Sequence, residues 1–285
     1  MSNLKRNLIT DKAFKMLGVF STFIGIITLA YFIIDIFIDG LGRIDLDFLS
    51  DLPSRSAEKS GIITAWTGTA WILGLTAIVS VPIGIGAAIY FEEFAPKNRL
   101  TNLLEINISN LAGVPSIIFG LLGMEIFARI MGLGGSLLTG AFTLSLLILP
   151  ILIVATRESI KAVPKSIKEA AYGLGATKWQ TISTQILPAA SGGIFTGIIL
   201  SLSRAVGETA PLIVIGALAY VPFVAKTPMD QFTVLPIQIY NWTSRPQEAF
   251  LINAAAAIIV LLIITFIMNG IAIYFRNRWQ HKLQG

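Results

Sequence analysis

The sequence predicts an all-helical integral membrane protein with six spans, and three observations carry that reading. Hydrophobic residues make up 54% of the 285 and charged residues 13%, against about a quarter charged in ordinary soluble domains. Apolar runs recur along the whole chain at the length a bilayer demands, because lipid offers the backbone no hydrogen-bond partners and a crossing needs about 20 helical residues. The polar segments between these runs alternate in basic content, as loops on the two faces of one membrane do.

The first span is expected at 16–38. Lys5, Arg6, Lys12 and Lys15 precede it, as in a secretory signal, but the run outlasts a signal's apolar core and no small-x-small cleavage site follows. A retained helix is therefore expected. Residues 39–60, with Asp45, Asp47, Asp51, Pro53 and Glu58, break every apolar pattern and read as a loop on the membrane surface. The second span, 62–91, carries Gly68, Gly74, Gly84 and Gly86, which favour close helix packing in lipid. The third, fourth, fifth and sixth spans are expected at 103–131, 136–157, 189–219 and 250–275. Between the last two, Pro222, Pro228, Pro236 and Pro246 exclude a spanning helix, although 234–240 reads as a short interfacial or re-entrant segment. With both termini in the cytoplasm, fourteen Lys and Arg fall in inner segments and six in outer loops, with Arg204 inside a span. That asymmetry sets the orientation. The chain divides into 1–60 (tail, first span, acidic loop), 61–275 (the helical bundle) and a 276–285 tail.

Several function classes are excluded. There is no cysteine, hence no disulfide and no thiolate metal site. The lone His281 cannot form a metal cluster by itself. The net charge of +5 is the topology signal and calls for no nucleic acid. No Gly-x-x-x-x-Gly-Lys-Ser/Thr loop cradles nucleotide phosphates, so no ATP hydrolysis is expected on this chain. No catalytic residue and no cofactor is called.

Residues 158–187 form a basic loop that reads as two short helices divided near Gly173 and Gly175. Pro164 suits the first turn of the first helix. Glu169 lies one turn after Lys165 and beside Lys168, giving a charged face. Trp179, Ile182 and Ile186 form an apolar stripe at helical spacing.

The fifth span contains Arg204-Ala-Val-Gly207-Glu208-Thr209-Ala210-Pro211. A charge at mid-membrane costs about 2.5–3.5 kcal/mol on insertion scales, so such residues face a pathway or a partner. Arg204 and Glu208 are four apart and share a helix face. One reading is a self-neutralised pair that fixes helix packing. The other rests on Pro211, which deprives the Gly207 carbonyl of its helical donor and predicts a kink beside Glu208 and Thr209, at a depth where irregular backbone is tolerated only if buried in protein or lining a wet cavity. A guanidinium matches the geometry of an oxyanion, which favours Arg204 as the anion contact and Glu208 as its positioner or gate. Glu125, toward the outer end of the third span, is a weaker pathway candidate, expected to snorkel or to pair locally, and Asp35 and Arg157 are expected to mark span boundaries.

Two sets of residues carry a resemblance. Glu169-Ala170-Ala171, Gly175 and Leu187-Pro188 resemble the Glu-Ala-Ala coupling loop of ABC importer permeases, with Gln185 where the pattern has isoleucine and the isoleucine displaced to Ile186. Arg204-x-x-Gly207-Glu208-Thr209, followed by Ala210-Pro211, is similar to the phosphate ABC importer permeases of the PstA type, as are 113–120 and 235–240. The likeness runs from about residue 61 onward. It implies a six-helix type I ABC importer transmembrane domain with a coupling-helix loop at 158–188, in the bacterial inner membrane. It further implies a homologous permease of the PstC type, two PstB-type ATPases, an extracytoplasmic PstS-type phosphate-binding protein, and phosphate as cargo. Glu169, Ala170, Ala171 and Gly175 are the expected ATPase-coupling residues, and Arg204, Glu208 and Thr209 the expected pathway residues. The rivals are the same architecture carrying molybdate or sulfate, an ion-coupled carrier using the Arg204–Glu208 pair as a proton relay, and a membrane-embedded enzyme.

Overall fold

The computed structural model describes residues 2–218 and 220–284, with side chains for 10–218 and 220–278. Lys5, Arg6 and His281 fall outside the described side chains, and residue 219, the expected end of the fifth span, lies outside the described residues. Twelve helices follow in order among the described residues: α1 Ser2–Gly40, α2 Leu46–Ser50, α3 Ile63–Ile89, α4 Arg99–Leu111, α5 Ser116–Gly123, α6 Leu137–Lys161, α7 Lys165–Gly173, α8 Lys178–Thr181, α9 Leu187–Val206, α10 Ala210–Val214, α11 Leu235–Thr243 and α12 Ala249–Gln284. Five stretches are long and apolar enough to cross a membrane, Thr10–Arg43, Ile63–Phe94, Leu137–Lys161, Lys178–Val206 and Ala249–Arg278, and the count reaches six where the bent pair Arg99–Leu111 and Ser116–Ile130 is taken as one span.

That bent pair corrects the continuous third span expected at 103–131. Arg99–Leu111 and Ser116–Ile130 meet at 107°. Gly113 and Val114 donate back to Asn110 and Leu111 in tight turns, and Pro115, with no N–H and extended backbone, restarts the chain in a new direction.

The fifth span is corrected as well. Its helix begins at Lys178 and ends at Val206, where Gly207 forms the cap. The expected kink is a complete break. Pro211 starts α10, where its missing N–H coincides with donors that have no helical partner in any case.

The core gathers on α6, whose Leu144, Leu147, Ile148 and Leu152 are buried between α3 and α9. Of the four glycines singled out in the second span, Gly68 and Gly84 serve close packing. A Cβ on Gly68 would come within 2.1 Å of the Thr233 carbonyl, and one on Gly84 within 2.6 Å of Leu152. Gly74 and Gly86 face open space. The 234–240 segment is α11, and its Leu235, Ile237, Gln238 and Trp242 are buried against α3 and α12. The acidic loop is folded onto that end of the bundle through Phe48, which packs near Trp242. α1 leans on α12 and buries no side chain along its apolar length.

At the end of α6 opposite α7, residues 226–231 cover two of the helix's unpaired donors, because Leu137 and Leu138 N–H reach the carbonyls of Asp230 and Pro228 at 3.1 and 2.8 Å. Asp230 shapes this turn. Its carboxyl is held below the usual carboxylate range by the Lys226 N–H, then by the N–H and hydroxyl of Thr227. A depressed carboxylate stabilises fully above its ordinary pKa of 3.8 and loses that contribution as pH falls through the lower native value. Amide exchange across 226–231 is therefore expected to be insensitive to protonation of Asp230 down to about pH 4 and to show loosening below it. Asp230→Ala should show the loosened turn at neutral pH.

Candidate functional site

The first site is the basic loop. Val163 is buried beside Ile160, Ile182 and Ile186, and Pro164 then turns the chain into α7. α7 ends in a Schellman cap: the N–H of Ala176 donates to the Ala171 carbonyl at 3.1 Å and that of Gly175 to Tyr172 at 2.9 Å, with Gly175 at φ +83°. The distance in sequence between the Glu-Ala-Ala triplet and Gly175 is thus the span of one helix cap. Thr177 and Gln180 then close a reciprocal capping box that starts α8.

The expected apolar stripe divides. Ile182 and Ile186 are fully buried while Trp179 is 58% exposed. Ile182–Ile186 is a wide π-turn, which takes up an extra residue. Ile186 accordingly fills the buried position and Gln185 faces out, so the displaced isoleucine of the motif still packs. Leu174 is 91% exposed, and Tyr172 and Trp179 on the same loop are exposed too, as is Glu169, which makes no hydrogen bond or ion pair within the described residues. Apolar side chains gathered at a polar loop tip are what a partner covers.

Sequence reasoning missed what lies beneath this loop. Lys168 pairs with Glu93, and the Lys178 ammonium sits 4.7 Å from the Phe94 ring centre. Arg157, expected as a simple boundary residue, bridges Glu92 at 3.6 Å and Glu105 at 3.1 Å. The available signal was the acidic pair placed directly after the apolar run of the second span.

The second site is the break between α9 and α10. Gly207 and Glu208 N–H donate to the Arg204 and Ala205 carbonyls, both at 3.3 Å, as the helix closes. Arg204 Nε meets Glu208 Oε1 at 3.3 Å, with the side chains 35% and 16% exposed. The pairing left open by the sequence therefore forms within this chain. It uses only Nε, and the two Nη groups make no hydrogen bond to the described residues. Thr209, half-buried, opens α10, and its carbonyl accepts from Ile213. Glu125 does pair locally, with Arg129 at 3.0 Å.

Gly120, in the 113–120 segment, explains how this break is held. A Cβ there would lie 2.7 Å from Pro211 Cα and 2.9 Å from its carbonyl oxygen. The missing side chain lets α5 seat α10 backbone to backbone. Gly120→Ala is expected to force α10 away, costing about 1–3 kcal/mol as overpacking does, and to lower transport per assembled complex as Glu208 and Thr209 shift. Thermal unfolding in detergent together with an uptake assay checks both effects.

This arrangement of bent and broken spans is shared with solved ABC transporters. The backbone matches the inward-facing MetNI methionine ABC transporter, with a TM-score of 0.59 at 16% identity over 76% of this chain and 95% of that one. A bacterial ABC transporter for the acidic polysaccharide alginate matches equally well, with a TM-score of 0.59 at 17% identity over 79% of this chain and 80% of that one. The chain belongs to the family of binding-protein-dependent transport system inner membrane components, whose model matches residues 80–281. It is 30% identical to the probable ABC transporter permease protein YqgI of Bacillus subtilis, over 90% of this chain and 92% of that protein. To the phosphate transport system permease protein PstA of Haemophilus influenzae it is 31% identical over 94% and 93%, and to PstA 1 of Mycobacterium tuberculosis 33% over 79% and 73%. It is a membrane permease subunit, not an enzyme, and works with ATPase and binding-protein partners.

Proposed function

We propose that this chain forms half of an import pathway for inorganic phosphate in the bacterial cytoplasmic membrane, with both termini and the loop at 158–188 on the inner side. The observation that carries the reading is Arg204 at the break, its Nε held by Glu208 and both Nη groups left unpaired. Those two donors match adjacent oxygens of a tetrahedral anion. The relatives named PstA support phosphate as that anion. The partners are a PstC-type permease, two PstB-type ATPases and a PstS-type binding protein. Because the Arg204–Glu208 pair is neutral, a second cation from the partner permease completes the site. ATP-driven closure of the ATPases moves the loop around Glu169, Ala170, Ala171 and Gly175, and through α9 changes the side of the membrane to which Arg204 is open.

Reconstitution of the assembled complex tests this. Uptake of phosphate should require ATP and the binding protein and should resist excess sulfate and molybdate. Uptake blocked by either competitor assigns the other oxyanion, and uptake driven by a proton gradient without ATP assigns a secondary carrier. Orientation is tested with single cysteines in this cysteine-free chain. A membrane-impermeant thiol reagent should reach Asp47→Cys from outside intact cells and not Ser166→Cys, and the reverse pattern overturns the topology.

A further inference from the structure

Three consecutive residues at the end of the second span each hold a different part of the cytoplasmic machinery. Tyr90–Phe94 is a π-turn continuing α3. Within it Glu92 takes Arg157 near the end of α6, Glu93 takes Lys168 of α7, and Phe94 lies under the ammonium of Lys178 in α8. Lys168 precedes the Gly173–Gly175 turn and Lys178 follows it, so the loop is fastened to one turn of α3 on both sides of its exposed tip. Glu105 of α4 adds the bent third span through the same Arg157.

The burial of these groups gives the fastening its direction. Glu93 is only 7% exposed at the side chain, and the ammonium of Lys168 is its only ion-pair partner among the described residues. Withdrawing Lys168 would leave a carboxylate buried without its cation, which is far costlier than losing a solvent-exposed pair. Lys168 and Glu93 are therefore bound to move together. Glu169, the next residue, is exposed and has no hydrogen-bond or ion-pair partner among the described residues. One residue of α7 is thus free for an outside protein while its neighbour grips the second span.

We propose that the Tyr90–Phe94 turn is a second mechanical output of the coupling loop, with Glu93 and Lys168 as positioning residues that carry ATPase movement into α3 alongside the direct covalent path into α9. This rests on the coupling role proposed above for the loop. Because α3 packs along α6, a loop linked to both α3 and α9 moves the two flanks of α6 in concert, whereas a loop linked to α9 alone leaves one flank behind.

The test measures anion transported per ATP hydrolysed by the reconstituted complex, using whichever oxyanion the unmodified complex carries. Glu93→Gln and the double variant Glu93→Gln/Lys168→Gln, neither of which leaves a buried carboxylate without its cation, are each expected to keep the complex assembled and hydrolysing ATP while the ratio falls about tenfold, within the range of measured site-to-site couplings. In the double variant Glu93→Cys/Lys168→Cys the ratio should be low until a short bifunctional thiol reagent joins the two positions, and should then recover. No native thiol competes. Three results overturn the proposal: an unchanged ratio in both glutamine variants, loss of the assembled complex in place of loss of coupling, or a cross-link that leaves the ratio low. Glu169→Lys is the companion measurement. If it uncouples while Glu93→Gln does not, the second output fails and the coupling loop stands; if neither uncouples, both readings fall.

Discussion

Arg204→Gln is expected to abolish phosphate uptake while leaving the assembled complex in the membrane at normal abundance. The change removes the two unpaired Nη donors from the break between α9 and α10 and keeps the length of the side chain. Each hydrogen bond from a charged donor is worth about 1.5–3 kcal/mol, so losing both Nη donors to the anion should lower uptake by about a hundredfold or more. The packing alternative makes a different forecast. If the pair with Glu208 merely secures α9, Arg204→Gln strands a carboxylate that is 16% exposed, and the loss appears as reduced abundance with normal transport per surviving complex. Glu208→Gln separates the two readings further. As a positioner, Glu208 orients the guanidinium through Nε, so its amide variant should retain partial uptake with weaker apparent affinity. Uptake and ATPase rate for both variants, normalised to complex abundance, decide the matter. Normal transport by Arg204→Gln removes it from the pathway.

The parts of this protein that were legible in sequence are those written in short-range patterns. Five of the spans, the short helical segment near 234–240 and the two-helix loop follow from run length, proline density and the glycines at 173 and 175. The Glu-Ala-Ala and Gly spacing is local too, since it is the reach of one helix cap. What was misread depends on how a breaker is used. Pro211 was read as a kink within one helix and the 103–131 span as continuous through Pro115, yet each proline stands at the start of a new helix, because a proline in a first turn costs nothing while Gly113 or Gly207 ahead of it lets the preceding helix stop. The Glu92–Arg157–Glu105 and Lys168–Glu93 links join residues far apart in the chain. No periodicity records which of several loop charges meet in space, so Arg157 read as a boundary residue. The Arg204–Glu208 pair was visible only because it is local to one helix turn.

The second large effect lies at the loop tip. Glu169→Lys and Gly175→Val are each expected to leave the complex assembled and hydrolysing ATP while transport per ATP collapses. Glu169 is exposed and makes no hydrogen bond or ion pair within the described residues, so reversing its charge breaks no internal polar link and acts chiefly on whatever docks there. Like charges placed across a protein interface cost several kcal/mol, enough to displace a basic partner surface. Gly175 acts by another route. Nothing lies within 4 Å of a Cβ built on it, so a side chain fits sterically, but φ +83° is a conformation that L residues avoid and β-branched ones avoid most. The expense of about 1–2 kcal/mol falls on the Schellman cap and loosens the turn that presents Leu174. Gly175→Asn, which tolerates positive φ, should therefore couple better than Gly175→Val although it is similar in size. Full coupling in Glu169→Lys and Gly175→Val, at normal abundance, reduces the loop to a connector. Equal damage from Asn and Val at 175 transfers the cause from backbone conformation to the side chain itself.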